Sequence, residues 1–174
     1  MTTDCQNLDL CDTETYRGLV EKLAEANSPE VFSNGRAEHA AIIYETFLKY
    51  ARSRLRIFCH NLSQNVYKAP IVQRMEAALN RGIQVEIITQ EPPQSAELSE
   101  AVENWKQKNL QIKLFQAKPG SIAATMEANF AVMDGKAYRF EKDHKNHEAF
   151  ACFCNKELAT QLEKLFLQFR AELI

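Results

Sequence analysis

Glycine and proline are scarce, five of each in 174 residues. That excludes collagen-like repeats, elastic linkers and long disordered tracts, which need these residues in bulk. No stretch approaches the roughly 20 consecutive apolar residues of a membrane helix, and the N-terminal segment is polar and acidic. It has no basic segment leading into an apolar core, so no secretory signal and no membrane partner are expected, and the expected location is cytoplasmic. Net charge is scarce too: 21 basic against 23 acidic side chains leave -2 and an isoelectric point near 6.1. Such a balance argues against a strong electrostatic hold on nucleic acid or anionic lipid, although a local patch survives it. Cysteines are too few and too irregularly spaced for a disulfide framework: Cys5, Cys11, Cys59, Cys152 and Cys154. Cys152-x-Cys154 would put two thiols on one face of a strand, as a metal or redox pair requires. Thiols filling strand interiors in a reducing compartment is the simpler reading.

What is present is an ordinary globular composition, 45% hydrophobic, 25% charged and 9% aromatic. A chain of this length forms a core without the help of disulfide or metal, burying roughly 70% of its unfolded surface. Its hydrophobic periodicity alternates between helix and strand. Residues 13–26, with Thr13 as the cap, align Tyr16, Leu19, Val20 and Leu23. Ser28-Pro29-Glu30 breaks that helix, and Ser33-Asn34-Gly35 leads into a second over 36–51, with Ala40, Ile43, Tyr44, Phe47 and Ala51 on one face. Arg54–Cys59 alternates as a strand, with His60-Asn61 at its C-terminal end. Pro70 suits the first turn of a helix carrying Ile71, Met75, Ala78 and Leu79, and Gly82 the position just past its end.

Ile83–Thr89 reads as a second strand, 95–107 as a helix aligning Leu98, Val102 and Trp105, and Leu110–Phe115 as a third strand. Asn129–Met133, the turn Asp134-Gly135 and Lys136–Phe140 predict a hairpin, followed by a charged turn from Glu141 to Asn146. His147–Cys154 forms the next strand, and Asn155 caps a last helix with Leu158, Leu162, Leu165, Phe166 and Phe169 on one side. Trp105 and the Phe166, Phe169, Leu173 stripe read as core, the stripe with room to extend into a dimer seam. The sum is an α/β fold, a mixed β-sheet sandwiched between helices. Residues 1–35 read as an N-terminal helical extension and 36–174 as the domain proper.

Two blocks carry a family resemblance. The first runs from Ala51-Arg-Ser-Arg-Leu-Arg-Ile-Phe to Ile71–Ile88, an opening strand, a helix and an "RG-x-x-V-x-I-I" second strand. The second comprises Asn129-Phe-Ala-Val-Met-Asp-Gly-Lys, then Asn146-His-Glu148, then the helix from Asn155 to Phe169. In order and spacing these blocks resemble the phospholipase D superfamily, in particular its single-copy members related to bacterial endonucleases. The resemblance implies that superfamily's fold. It also implies a site built on His-x-Lys-x4-Asp, in which His attacks a phosphodiester, Lys holds the phosphate and Asp supports both, with two motifs meeting across a homodimer. Asp134 matches the acid. Seven and five positions earlier stand Glu127 and Asn129 in place of His and Lys. Glutamate brings negative charge toward a dianionic transition state, and asparagine removes the stabilising cation. The downstream Gly-Ser-x-x-Asn segment is absent.

The site expected from the resemblance is therefore vestigial: Glu127, Asn129, Asp134, Asn146, Glu148 and His60, with no catalytic residue among them. His60 lies where α/β folds place ligands, at a strand's C-terminal end. His60, Asp134 and Glu148 could gather as a metal or acid–base cluster, or as a hydrogen-bonded remnant; the spacing matches no recognised metal motif, and no metal or cofactor is expected. His144-x-x-His147 is a second histidine candidate, whereas His39 beside Glu38 reads as a surface residue. Lys49, Arg52, Arg54 and Arg56 form a basic cluster, and period-two spacing would align the three arginines for phosphate or nucleic-acid contact. The N-terminal thirty residues, with seven acids and two bases, could neutralise it. The function expected is a catalytically inactive phospholipase D-like domain that binds a protein partner or assembles as a homodimer. The alternatives are a divergent phosphodiesterase or nuclease using His60 or His147, and a small nucleic-acid-binding module.

Overall fold

The computed structural model describes residues 12–145 and 148–173; Cys5, Cys11, Asn146 and His147 lie outside them. In chain order the elements are α1 (Thr13–Glu25), β1 (Phe32–Asn34), α2 (Ala37–Tyr50), β2 (Arg54–Cys59), α3 (Ala69–Asn80), β3 (Gln84–Thr89) and α4 (Ala96–Gln107). Then follow β4 (Ile112–Gln116), α5 (Ile122–Thr125), β5 (Asn129–Met133), β6 (Ala137–Asp143), β7 (Glu148–Cys152) and α6 (Lys156–Ala171). The strands make one seven-stranded sheet in the order β1-β7-β6-β5-β2-β3-β4. β2, β3 and β4 are parallel, joined by α3 and α4 as crossovers. From β5 outward every pairing is antiparallel. The sheet is therefore mixed, and it changes direction where β5 pairs with β2.

Helices cover both faces. Ile42, Ile43 and Phe47 of α2, Met75 of α3 and Trp105 of α4 share one core with Leu55, Ile57, Val85 and Ile87 of β2 and β3, and Tyr16, Val20 and Leu23 of α1 belong to the same core. Phe166 and Phe169 of α6 pack on the other, against Phe58, Phe130 and Val132. α2 is buried over most of its length because it lies between α1, α3 and the sheet, which also takes His39 out of solvent. His39 is no surface residue: its ring stacks on Tyr16 with centroids 3.8 Å apart.

Four local assignments change. Asp12, not Thr13, caps α1, its carboxylate accepting the Thr15 amide at 2.9 Å. Residues 32–34, read as a lead-in to a helix, form an edge strand on β7, too short to announce itself by alternation. Residues 122–125 form a single helical turn, capped by Ser121. β6 runs to Asp143, so Glu141 stands within a strand rather than a charged turn; pairing with Ala149 of β7 and Asn129 of β5 holds it there.

Candidate functional site

β5 lies antiparallel to β2, so its first residue, Asn129, meets the C-terminal end of β2 and its last, Met133, the N-terminal end. The motif positions are thereby separated by the length of a strand. Asn129 Oδ1 accepts the His60 amide at 2.8 Å, and its Nδ2 approaches Glu141 Oε1 at 3.5 Å. Glu141 Oε2 accepts Arg139 Nη2 at 2.8 Å, with the two side chains 6% and 3% exposed. Arg139 Nε in turn donates to Asn34 Oδ1 at 3.0 Å, and its guanidinium lies 5.5 Å from the ring centre of Tyr44. A buried ion pair of this kind persists because each charge is answered by the other and by neutral dipoles.

A cavity of about 280 Å³ opens over this network. β1 and the start of α2 close one side of it with Asn34, Arg36, Ala37 and Tyr44; Tyr67, His60 and His144 close the other. Asn34 is 2% exposed, and its Nδ2 has no partner. The amide cannot turn to repair this, since Arg139 Nε only donates and must face the oxygen. A buried donor left unanswered costs about 1–3 kcal/mol.

His60 is held from several sides. Its Nδ1 lies 3.0 Å from Gln90 Oε1. Gln90 Nε2 already donates to the carbonyls of Ala123 and Met126, at 2.8 and 2.5 Å. The glutamine oxygen therefore faces the ring, and His60 Nδ1 carries the proton. Nε2 points toward Glu91 Oε2 at 3.4 Å. The imidazole stacks on that of His144, with centroids 4.2 Å apart, and His144 Nδ1 donates to the Glu127 carbonyl at 3.2 Å. Glu127 itself is exposed. Cys59 lines the same cavity, but burial pushes its thiol up to about 12, leaving no thiolate to attack at neutral pH. Among the described residues the cations in the cavity wall are Arg36 and Arg139, and no lysine joins them.

His60, Asp134 and Glu148, which could have gathered as a cluster, do not meet. Asp134 belongs to the far end of the sheet, and Glu148 is exposed at the start of β7, opposite Asp143 and outside the cavity wall. Among the described residues no group of three or more His, Cys, Asp or Glu side chains is placed to hold a metal ion.

At the far end Asp134 works as a clamp. Its Oδ2 accepts the Arg52 amide at 2.8 Å, and its Oδ1 accepts the amides of Ser53 and Arg54 and the Ser53 hydroxyl at 2.9–3.0 Å. Burial pushes the carboxyl up, but these donors outweigh it and hold its pKa below the ordinary 3.8. Its φ of +54° is one that Asp and Asn adopt more readily than most residues.

The arginine strip is divided. Arg52 lies before β2, exposed. Arg54 and Arg56 do share a face of β2, and both reach Glu163 on α6, at 2.7 and 2.5 Å; Arg56 also meets Glu86 at 3.3 Å, and Arg170 meets Glu86 at 2.8 Å. The acidic N-terminal segment answers Lys49 instead, through Glu21 at 3.0 Å.

Sequence reasoning located His60, His144 and Asn129 but missed Asn34, Tyr44, Tyr67, Arg139 and Glu141. One signal was available. In β6, Ala137, Arg139 and Glu141 alternate onto one face, and two charges on the small-residue face of an internal strand must be paired.

No protein-family model and no curated protein matches the chain. Solved structures do. The chain is similar to the phospholipase D family member Nuc from Salmonella typhimurium over 83% of its length and 96% of Nuc, with 14% identity and a TM-score of 0.61. NucT from Helicobacter pylori matches over 83% of this chain and 96% of its own, with 12% identity and a TM-score of 0.59. The archaeal chromatin protein TrmBL2, described as binding DNA in a novel mode, matches over 92% of this chain but 62% of its own, with 10% identity and a TM-score of 0.62. Taken with the strand order and the Asp134 clamp, these likenesses establish that the chain has the phospholipase D-like fold.

Proposed function

We propose that this chain is a non-hydrolytic phospholipase D-like domain that works by binding and assembly. The observation that carries this reading is the exchange at β5: Glu127 is exposed where a nucleophile would stand, and Asn129 is engaged with His60 and Glu141 where a phosphate clamp would stand. Among the described residues the one buried cation in the cavity wall, Arg139, is neutralised by Glu141. The site thus has neither an attacking histidine at position 127 nor uncompensated positive charge in its floor, and both are needed to lower a phosphodiester barrier.

Assembly as a homodimer across the Glu127 edge is the second part of the proposal. A two-fold axis there would bring Glu127 near its own copy, and two close carboxylates repel. Sedimentation equilibrium of the wild type and Glu127→Gln at low and moderate salt tests it: the variant associates more tightly, and the difference shrinks with salt. A wild type that stays monomeric at about 50 μM, a concentration at which a low-micromolar dimer would form, rejects the dimer. DNA-binding is the lesser reading, supported by the likeness to a chromatin protein and opposed by the engagement of Arg54 and Arg56 with Glu163.

A further inference from the structure

The arginine strip leaves one member over. Arg54 and Arg56 are taken up by Glu163, whereas Arg52 forms no ion pair among the described residues. It lines a second cavity, of about 240 Å³, where the last residues of α1 and α2 meet the turn between β5 and β6. Lys136, in that turn, lines the same cavity. It is half-buried, and its ammonium meets a neutral acceptor, Asn27 Oδ1 at 2.7 Å, with no acid paired to it among the described residues. An ammonium has only donors, so the Asn27 oxygen faces it and the Asn27 amide nitrogen is left to donate elsewhere.

Neither cation is needed at the helix ends. Unpaired carbonyls there attract positive charge, but both ends are answered already. The carbonyls of Lys22, Leu23 and Ala24 accept the amides of Ala26, Ser28 and Asn27. Those of Leu48, Lys49 and Ala51 lie 2.7, 3.4 and 3.5 Å from Arg81 Nη2. Asp134 stands outside the wall, its oxygens engaged by the amides of Arg52, Ser53 and Arg54. One acid does belong to the wall: Glu25, exposed and 3.3 Å from the Tyr50 hydroxyl. Glu21, beside it, is occupied by Lys49 and Tyr50. Two cations against one acid leave the wall positive, and an ammonium drawn half out of water lacks its counter-charge.

We propose that this second cavity binds a small organic anion, its acid group held between Arg52 and Lys136. A carboxylate and a phosphomonoester share the chemistry, since each accepts from a guanidinium fork, an ammonium and the Asn27 amide. The 240 Å³ have room for about eight water-sized groups at roughly 30 Å³ each, the size of an acid group on a single ring. Half-buried Ala24 and Tyr50 supply apolar wall for such a ring. The site is separate from the cavity over Asn129, and it stands whether or not the chain hydrolyses phosphodiesters.

Calorimetric titration of the full chain with benzoate, phenyl phosphate and neutral benzamide tests the proposal. At least one of the two acids binds about tenfold or more tightly than benzamide, and whichever binds better identifies the acid group. Arg52→Gln and Lys136→Gln each weaken that binding about fivefold or more, with circular dichroism spectra confirming the fold. Glu25→Gln, which takes the acid out of the wall, tightens it about twofold. Arg74→Gln, which removes an exposed cation on α3, leaves it unchanged. Absence of saturable binding by both acids up to about 10 mM overturns the proposal. So does equal binding of benzamide, binding that survives both Arg52→Gln and Lys136→Gln, or a loss in Arg74→Gln as large as in Arg52→Gln.

Discussion

At the C-terminal end of β5, both oxygens of Asp134 accept hydrogen bonds, from Arg52, Ser53 and Arg54. At the N-terminal end, polar side chains surround an open cavity and the Asn34 side-chain nitrogen has no partner. The first end is satisfied and fixes the approach of α2 to β2; the second leaves one side-chain nitrogen, that of Asn34, unmatched. The positions that resemble the phospholipase D motif straddle this division. On the reading proposed above the acid lies at the closed end, so Glu127 and Asn129 at the other two positions would remove chemistry and leave the frame standing.

The buried pair beneath the cavity offers the largest perturbation of this contrast. Arg139→Met leaves Glu141 buried without its partner and is expected to cost about 3–5 kcal/mol in urea unfolding. Arg139→Met combined with Glu141→Leu is expected to recover most of that, since removing both charges also removes the desolvation cost. A double variant no more stable than the single would show that the pair is not an isolated charge balance.

At the closed end, Asp134→Ala is expected to cost about 2–3 kcal/mol, from lost amide contacts and a left-handed backbone that alanine resists. Asp134→Asn is expected to cost less, because it keeps one acceptor and tolerates that φ. Equal losses in the two variants would remove the backbone contribution from the account.

Acid should act through the same residue. Asp134 and Glu163 both titrate below their ordinary values, 3.8 and 4.5; for Glu163 the Arg54 hydrogen bond is the leading cause. A carboxylate with a lowered folded-state pKa binds fewer protons folded than unfolded, so its stabilisation is complete above about pH 5. It is lost as pH falls through the ordinary values and then the lowered ones. Unfolding free energy measured across that range should fall less steeply in Asp134→Asn than in the wild type.

The smallest effect concerns charge at the α6 face. Glu163→Gln releases Arg54 and Arg56 from their shared carboxylate and should tighten binding to duplex DNA about three- to tenfold at low salt, with a steeper salt dependence. Unchanged affinity would place any DNA contact elsewhere.

How far the sequence disclosed this arrangement follows from the range of the interactions. The strands over 54–59 and 129–133, the turn at Asp134 and the stripe containing Phe166 and Phe169 are written in local periodicity. The division of the motif between two ends of the sheet was legible only through the antiparallel pairing of β5 with β2. β1 has three residues, too few for a pattern, and owes its place to β7. Asn34 thus looked like part of a loop, although it completes the cavity wall. Arg54 and Arg56 share a face as their spacing requires, but their partner Glu163 lies more than a hundred positions away, beyond the reach of any local rule.

The central claim is that β5 keeps the frame of a phosphodiesterase site without its chemistry. Steady-state hydrolysis of bis-p-nitrophenyl phosphate, with and without divalent metal ions, measures this most directly, with His60→Ala purified in parallel. The account predicts no release of p-nitrophenol above the no-protein rate in either protein. Turnover that survives repurification and disappears in His60→Ala would contradict it, and would make the cavity an active site with His60 at its centre.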